Sequence, residues 1–443
     1  MAKKIVHLTA HMGGGVGKVL SGICTYAQNN NNKYLHEIIM LEHPEKRHFV
    51  DICEESGVNV TVVSGSNVEM IKSKMEQADI VQIEWWHHPK LAELITNFPH
   101  INVRLVVWSH ISGCNYPYLP VDFLAMPDKF VFTSNYSFYN PFWNEVEKSF
   151  ARNQCVMINS SGGFEHLKII KKKEHNGFNI GYIGTQNFSK IHPQFVDYCK
   201  YIKGIPNIKF ILVGDRTNQE TILKQANNGG IADQFVFRDY VKDVSSELSW
   251  FDVFGYILNP QHFGTTENAL LEAMAAGLPV VCLNQCAEQF LIKHNETGLL
   301  VRNEEEYAEA ISYLYNHPDQ RVKLGEKARE FVLNNFMVEK TVLQLHTIYD
   351  KILLTGKRTF NFQRVFGRTA SEWFLSCLPP SERQIFKACI PECDNDDAKE
   401  KLIRFVKMSR CILDDKSKSS LHHFSKTYPQ DLLLRYWSSL LEN

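Results

Sequence analysis

The chain has 443 residues, of which 44% are hydrophobic and 22% are charged, and its formal net charge is −1. This length predicts two to three domains, each large enough to bury its own core. The balanced charge excludes a general electrostatic field for nucleic acid or an anionic membrane, so no nucleic-acid partner is expected.

The N-terminal segment Met1–Ala10 is a short basic start followed by a strand-length apolar run. It is too short for a signal peptide, and no apolar run reaches the roughly 18 residues of a transmembrane helix. The eleven cysteines include no Cys-x-x-Cys pair, which favours reduced, buried thiols. Neither Cys282 with Cys286 nor Cys389 with Cys393 has a histidine at zinc-site spacing. A cytoplasmic protein is therefore expected, with docking at a membrane surface left open.

Short apolar segments alternate with helix-like segments along the first 350 residues. The first series of predicted strands is Ile5–Leu8, Glu37–Leu41, Val58–Val63, Ile80–Glu84, Val103–Ser109 and Phe130–Thr133. The second series is Asn179–Ile183, Lys209–Val213, Gln234–Phe237, Val253–Ile257 and Val280–Leu283. Continuous apolar strands separated by helices predict doubly wound parallel sheets. The basic segment Lys168–Asn176 is the predicted linker, so we expect two α/β domains, 1–167 and 177–355, with a cleft between them.

A glycine-rich loop, His11–Lys18, follows the first predicted strand and opens a helix. A P-loop interpretation fails because the required first glycine falls on Met12 and the Ser/Thr position holds Val19. Gly14 and Gly15 have no Cβ atom, which leaves room for contact between the backbone and a ligand. A tight turn without a ligand is the alternative.

Two strand ends of the first domain carry polar and aromatic side chains. His110 directly follows Val103–Ser109, where ligands bind in a doubly wound sheet. A hydrogen-bonded structural histidine is the equal alternative. The segment Ile83–His88 also leaves a strand end, and its aromatic rings suit a sugar face. A surface packing turn is the alternative for His87 and His88.

The stretch Phe263–Val281 is the most informative segment, because it combines a polar loop, a helix and a Gly-Pro exit into a buried strand. Thr265 or Thr266 is expected to cap the helix. The positive end of the helix dipole, with the backbone of Thr266, Asn268 and Ala269, suits an anionic diphosphate. A capped core helix of an ordinary α/β enzyme is the alternative.

These motifs resemble the donor-binding signature of GT-B glycosyltransferases, in particular the large retaining family 4, also called group 1. The resemblance covers roughly residues 1–355 and is strongest over 179–301. It implies two Rossmann-like domains, a nucleoside diphosphate sugar as donor, no metal ion and no other cofactor. In the family, the residue equivalent to Glu272 binds the nucleotide ribose, and a histidine in the region of His110 reaches the donor sugar.

Two positions depart from the family pattern. Thr185 stands where the family usually has an arginine, so Lys190 is left as half of the cationic clamp on the diphosphate. Gly264 lies eight residues before Glu272, where the family has a glutamate that touches the transferred sugar. Glu267 is the predicted displaced substitute for that glutamate, and a helix-capping carboxylate is its equal alternative.

Residues 356–443 extend beyond the resemblance and predict a small helical appendage. Three roles are possible for this appendage: shaping the acceptor site, forming a homo-oligomer or padding the core. Met337–Leu354, just before it, is predicted as an amphipathic helix that closes the second domain. Asp394–Asp396 matches an Asp-x-Asp metal motif only in its letters.

The resemblance implies a glycosyltransferase that moves a sugar, with retention, from a nucleoside diphosphate donor to a glycan or glycolipid-type acceptor. The leaving phosphate would help to deprotonate the acceptor. A catalytically inactive nucleotide-sugar or glycan-binding subunit of the same fold is the alternative. The predicted catalytic residues are His110 and Glu267. The predicted donor-binding residues are Gly14, Gly15, Thr185, Lys190, Thr266, Asn268, Ala269 and Glu272.

Overall fold

A computed structural model divides the chain into two compact units. Unit 1 comprises Met1–Gly162, Phe263–Thr265 and Thr341–Asn443, and unit 2 comprises Gly163–His262 and Thr266–Lys340. The structure describes residues 2–30, 33–63, 68–164, 167, 170–202, 204–392, 395–409 and 419–441. Four residues named in the sequence analysis lie outside the described residues: Met1, Lys168, Cys393 and Asp394.

Each unit contains one parallel sheet. The strands of unit 1 are β1 Lys3–Thr9, β2 Tyr34–Met40, β3 Asn59–Val62, β4 Ile80–Trp85, β5 Leu105–Ser109, β6 Lys129–Phe132 and β7 Val156–Met157. The strands of unit 2 are β8 Phe178–Ile183, β9 Ile208–Val213, β10 Phe235–Arg238, β11 Val253–Tyr256, β12 Val280–Leu283 and β13 Leu299–Val301. The strand orders are β3-β2-β1-β4-β5-β6-β7 and β10-β9-β8-β11-β12-β13.

The strand order reverses beside the first strand of each sheet, which is the doubly wound arrangement. The predicted fold class, two Rossmann-like parallel-sheet domains followed by C-terminal helices, is confirmed. The switch points lie between β1 and β4 in unit 1 and between β8 and β11 in unit 2. The central strands β4 and β8 are buried along their whole length, as continuous apolar strands of a parallel sheet should be.

Helices connect the strands of both units. Before β8 they are α1 Gly15–Asn30, α2 His48–Glu55, α3 Val68–Gln77, α4 Pro89–Thr96, α5 Val121–Leu124 and α6 Glu145–Gln154. From β8 onward they are α7 Phe195–Lys200, α8 Gln219–Asn228, α9 Ser245–Leu248, α10 Asn268–Ala275, α11 Glu288–Leu291, α12 Glu304–Asn316, α13 Pro318–Asn335 and α14 Val338–Leu353. The C-terminal helices are α15 Gln363–Phe366, α16 Ala370–Ser376, α17 Pro380–Lys387, α18 Asp396–Met408, α19 Leu421–Thr427 and α20 Leu432–Ser439. Within the described residues, none of the helices combines the length and apolarity needed to cross a bilayer.

The C-terminal helices pack into the core of unit 1. Phe374 on α16 and Trp437 on α20 belong to the same buried apolar cluster as the strands of the first sheet. The Tyr349 hydroxyl on α14 donates a hydrogen bond to Gln82 Oε1 on β4, at 2.6 Å. The sequence analysis placed α14 at the end of the second domain, but from Thr341 onward this helix belongs to unit 1.

The cysteines agree with a reduced protein. Nine of the eleven lie in the described part of the chain, and all nine are buried and free. The expectation of buried thiols is therefore confirmed for these nine residues.

Candidate functional site

Two loops of unit 2 leave the sheet at its switch point and meet. The loop after β8 carries Lys190, and the loop after β11 leads to Glu267. The Nζ atom of Lys190 lies 2.5 Å from Oε2 of Glu267. The contact forms because β8 and β11 are neighbours and their carboxyl ends share one edge of the sheet. The structure thus pairs the predicted phosphate-binding lysine with the predicted displaced carboxylate.

Glu267 is buried among groups that stabilise its charge. The Tyr256 hydroxyl donates a hydrogen bond to Oε2 at 2.8 Å, and His262 Nδ1 lies 3.7 Å from Oε1. Burial alone would raise the pKa of Glu267, but the positive charges of Lys190 and His262 outweigh it and lower that pKa. Glu267 is therefore an ionised carboxylate at neutral pH.

His262 is a buried cation next to Glu267. Its Nε2 atom lies 3.1 Å from Oε1 of Glu288, and both side chains are completely buried. Burial alone would lower the pKa of His262, but the charge of Glu288 and the hydrogen bonds that the ring donates to Cys286 and Glu288 raise it to about 10. Sequence reasoning missed this pair, because nothing in the pattern links two residues 26 positions apart in a loop and a short helix.

The start of α10 differs from the prediction. The helix begins at Asn268, and Glu267 occupies the N-cap position without a side-chain capping hydrogen bond. The prediction that Thr265 or Thr266 caps this helix is wrong. The carboxylate of Glu267 binds Lys190 instead of the helix N–H groups, so of its two alternative roles the structure disfavours capping.

Two side-chain amides, one in the loop after β8 and one at the start of α10, have buried atoms without a hydrogen-bond partner among the described residues. Gln186, in the loop after β8, is completely buried, yet neither of its amide atoms has a partner among the described residues. The Oδ1 atom of Asn268 is also buried and has no hydrogen-bond partner among the described residues. A buried polar group without a partner costs about 1–3 kcal/mol, so a ligand that supplies the missing bonds gains binding free energy. Asn268 was predicted from the sequence, whereas Gln186 was missed.

Glu272 lies on α10, and its charge acts on a tyrosine that follows β10. Burial and the charge of Glu272 raise the pKa of Tyr240, which follows β10. Ala269 is half-buried in the first turn of the same helix, and Thr266 is buried just before it. Thr185 is exposed after β8, and its carbonyl oxygen accepts a hydrogen bond from a buried tyrosine at 2.8 Å. The ligand roles of these residues stay predictions.

In unit 1, His110 is bound to a buried carboxylate. Its Nε2 atom lies 2.7 Å from Oε2 of Glu84 on β4, and His7 Nδ1 on β1 lies 2.8 Å from Oε1. Burial alone would raise the pKa of Glu84, but hydrogen bonds from His110 and His7 lower it to about 2. Because the ionised carboxylate only accepts hydrogen bonds, Nε2 of His110 carries the proton that is donated to Glu84.

The glycine-rich loop of unit 1 is open at the predicted positions. Gly14 has a φ of +81°, which favours glycine, and α1 begins at Gly15. Both are exposed, and an added Cβ would meet no atom within 4 Å. Their backbone is therefore accessible to a ligand, and donor contact at this loop stays a prediction.

The segment after β4 is buried rather than on the surface. His87 is completely buried, and its Nε2 donates a hydrogen bond to the carbonyl oxygen of Trp373 on α16 at 3.0 Å. His88 caps α4 through its side chain. Trp85 is completely buried in the core of unit 1. The surface-turn interpretation of His87 and His88 is wrong, because C-terminal helices cover this segment, and the ring of Trp85 is not available to a sugar.

Three side-chain groups in the described residues have the composition of a metal site: His7 with Cys24 and His36, His11 with Glu42 and His88, and His262 with Cys286 and Glu288. The first and third contain histidine nitrogens within hydrogen-bond distance of another member, at 2.8 Å and 3.1 Å. In the second, each ring accepts a backbone N–H at Nδ1, so the neutral ring presents an Nε2 proton rather than a lone pair. The predicted independence from metal stays a prediction.

Residues 164–331 match the family model of glycosyl transferases group 1. N-acetyl-alpha-D-glucosaminyl L-malate synthase of Bacillus anthracis is 32% identical over 151 residues, which are 34% of this chain and 39% of that protein. A GDP-mannose-dependent alpha-(1-6)-phosphatidylinositol monomannoside mannosyltransferase of Mycobacterium tuberculosis is 32% identical over 130 residues, which are 28% and 34% of the two chains. The alignments thus span little more than a third of the length of these relatives.

Solved structures match a larger part of the chain. A glycosyltransferase from Rickettsia africae ESF-5 covers 80% of this chain and 99% of its own, with a TM-score of 0.63 and 17% identity. Anabaena HepE in complex with UDP-glucose covers 79% of this chain and 99% of its own, with a TM-score of 0.64 and 16% identity. At this level of identity the likeness shows the GT-B fold.

Proposed function

Because residues 164–331 belong to the glycosyl transferases group 1 family and the chain has the GT-B fold, we propose that the protein is a retaining glycosyltransferase. It moves a sugar from a nucleoside diphosphate donor to a glycan or glycolipid-type acceptor. The observation that carries this proposal is the Lys190–Glu267 pair at the switch point of unit 2, beside the start of α10. The names of the relatives support it, since they include a GDP-mannose-dependent transferase and a protein in complex with UDP-glucose.

The proposed donor site holds the diphosphate by charge. Lys190 supplies an ammonium group with three donors, and the N-terminal end of α10 adds a positive dipole end. Both interactions strengthen when the glycosidic bond breaks and negative charge accumulates on the leaving diphosphate. The protein therefore lowers the barrier by stabilising the leaving group.

The carboxylates of this site orient the neutral parts of the donor. Glu272 accepts hydrogen bonds from the nucleotide ribose, and Glu267 accepts them from hydroxyls of the transferred sugar. In unit 1, Nε2 of His110 is held by Glu84, which leaves Nδ1 for a hydrogen bond with a substrate hydroxyl. The acceptor oxygen forms the new bond on the face that the diphosphate leaves, and the leaving phosphate takes its proton.

The first test of this site is Lys190→Ala. Calorimetry with UDP, GDP, ADP and dTDP sugars first identifies the nucleotide that the wild type binds. The variant should then lose roughly 1.5–3 kcal/mol of affinity for that nucleoside diphosphate and keep its affinity for the free nucleoside.

The matched control is Lys173→Ala, an exposed lysine of unit 2 whose Nζ donates to Ser246. It should leave both affinities unchanged. Equal losses of nucleoside and nucleoside diphosphate binding in Lys190→Ala would contradict a phosphate contact.

An inactive nucleotide-sugar-binding subunit is the second candidate function. The presence of Gly264 in place of the family's first glutamate favours it, because no carboxylate occupies that position. The two candidates differ in turnover, since both require donor binding and only the transferase releases a nucleoside diphosphate.

A further inference from the structure

Four charged side chains of alternating sign run through unit 2. The ammonium of Lys190 contacts Oε2 of Glu267 at 2.5 Å, and Oε1 of Glu267 lies 3.7 Å from His262 Nδ1. On the other side of the ring, His262 Nε2 lies 3.1 Å from Glu288. Only the Lys190 side chain has substantial exposure, at 18%. The charges in this array of Lys190, Glu267, His262 and Glu288 alternate from positive to negative, so the array is neutral as a whole.

The order of these charges decides what happens when Lys190 binds a ligand. In a simple buried ion pair, a diphosphate that attracts the lysine would leave the carboxylate without a counter-charge, which is strongly unfavourable. In this protein Glu267 keeps a second cation, His262, on its other oxygen. The positive charge of His262 is in turn held by Glu288, which is completely buried.

We infer that His262 and Glu288 are positioning residues that keep Glu267 charged and in place when Lys190 shifts to the diphosphate of the donor. This inference rests on the proposed function and deepens it by naming the residues that let one lysine serve two anions. Neither residue needs to touch the donor, because both act through Glu267.

The groups around His262 determine how it responds to pH. Glu267 faces Nδ1, Glu288 faces Nε2, Cys286 makes a hydrogen bond to the ring, and Lys190 lies beyond Glu267. The other titratable groups beside these carboxylates have pKa values that burial raises well above the ordinary range, so they stay neutral near pH 7: Tyr182, Tyr256 and Cys282. Glu288 therefore supplies the main charge that keeps His262 protonated.

The first arm of the test is His262→Gln, which removes the charge and keeps a polar side chain. Lys190 is then the remaining counter-charge of Glu267 among the described residues, so affinity for the nucleoside diphosphate that the wild type binds should fall by about tenfold or more. Affinity for the free nucleoside should not change. The matched control is His175→Gln, which alters another histidine–carboxylate contact of unit 2, with Asp252 at 3.3 Å, and should change neither affinity.

The second arm is Glu288→Gln, measured from about pH 5 to about pH 9. Without Glu288, burial lowers the pKa of His262 below that in the wild type, so the ring loses its proton at a lower pH. Nucleoside diphosphate affinity of the variant should then decrease with pH relative to the wild type, whereas nucleoside affinity should not. A purely structural role would lower the melting temperature without this new pH dependence.

The outcomes separate the inference from the proposed function. Wild-type affinity for the diphosphate in folded His262→Gln, or a pH-independent difference in Glu288→Gln, overturns the inference and leaves the proposed function intact. Equal loss of nucleoside and diphosphate binding also overturns it, because the histidine would then act on folding. Failure of the wild type to bind any nucleoside diphosphate overturns both.

Discussion

At the scale of single residues, Gln186 is expected to affect both stability and ligand binding. Its amide is completely buried, and no described residue satisfies it. Gln186→Met keeps the volume and removes the unpaired amide, so it should stabilise the unliganded protein by about 1–3 kcal/mol. The same change should weaken binding of the nucleotide sugar. Denaturant unfolding and calorimetry on one preparation measure both effects.

Gln285→Met is the matched control for this prediction. Gln285 donates a hydrogen bond to the carbonyl oxygen of Leu258 at 3.0 Å, so its loss should destabilise the protein. A destabilised Gln186→Met variant with unchanged ligand affinity would contradict a ligand role for Gln186.

Glu84 makes the stability of unit 1 depend on pH. Its pKa of about 2 lies below the ordinary value of 4.5, so its contribution is complete above about pH 5 and disappears as the pH falls towards 2. This difference corresponds to about 3 kcal/mol at neutral pH, since one pKa unit is about 1.4 kcal/mol. Unfolding free energies of the wild type and Glu84→Gln should therefore converge as the pH falls from about 6 to about 3. A constant gap across this range would contradict the assignment.

At the scale of elements, a close contact between α10 and α13 sets the position of the helix that carries Glu272. A Cβ added to Gly325 on α13 would lie 2.0 Å from the carbonyl oxygen of Gly277, just after α10. Gly325→Ala must therefore move α10, and should destabilise the protein by about 1–3 kcal/mol and lower nucleoside diphosphate affinity.

Gly356→Ala is the control for this change. A Cβ at Gly356 meets nothing within 4 Å, and its φ is not in the left-handed region, so the substitution should be nearly neutral. A neutral Gly325→Ala variant would show that α10 and α13 separate without cost.

The strands show which elements a sequence predicts. Continuous apolar runs predicted the buried central strands, because a strand covered on both faces carries its own hydrophobic signal. The edge strands β7 and β13 were missed, since they contain two and three residues and pair on one side. The sheet topology explains why Lys190 and Glu267, 77 residues apart in the sequence, are in contact, whereas their roles in donor binding stay predictions.

Other parts of the site could not be predicted in this way. The predicted threonine cap of α10 is wrong because Glu267 occupies the N-cap position. The carboxylate of Glu267 accepts hydrogen bonds from Lys190 and Tyr256 rather than from the helix N–H groups. The His262–Glu288 contact and the unpaired amide of Gln186 depend on side-chain burial, which follows from the packed core and not from local periodicity.

At the scale of the whole molecule, the residues beyond 356 complete the core of unit 1. Phe374, Phe386 and Trp437 belong to the same apolar cluster as the first sheet, so padding the core is the role that the described residues bear out. Shaping the acceptor site and forming a homo-oligomer stay predictions. The cytoplasmic location and docking at a membrane surface also stay predictions.

The central claim is that the donor site of unit 2 is catalytic, and a phosphorus and proton NMR time course with the bound nucleotide sugar tests it most directly. The wild type should release the nucleoside diphosphate, and the product should keep the anomeric configuration of the donor. Glu267→Gln should bind the nucleoside diphosphate almost as well as the wild type does. It should produce nucleoside diphosphate from the nucleotide sugar at least about tenfold more slowly, since a tenfold change in rate corresponds to about 1.4 kcal/mol of transition-state stabilisation. A wild type that binds the nucleotide sugar but releases no nucleoside diphosphate, with or without a pool of glycan and glycolipid acceptors, would contradict the claim.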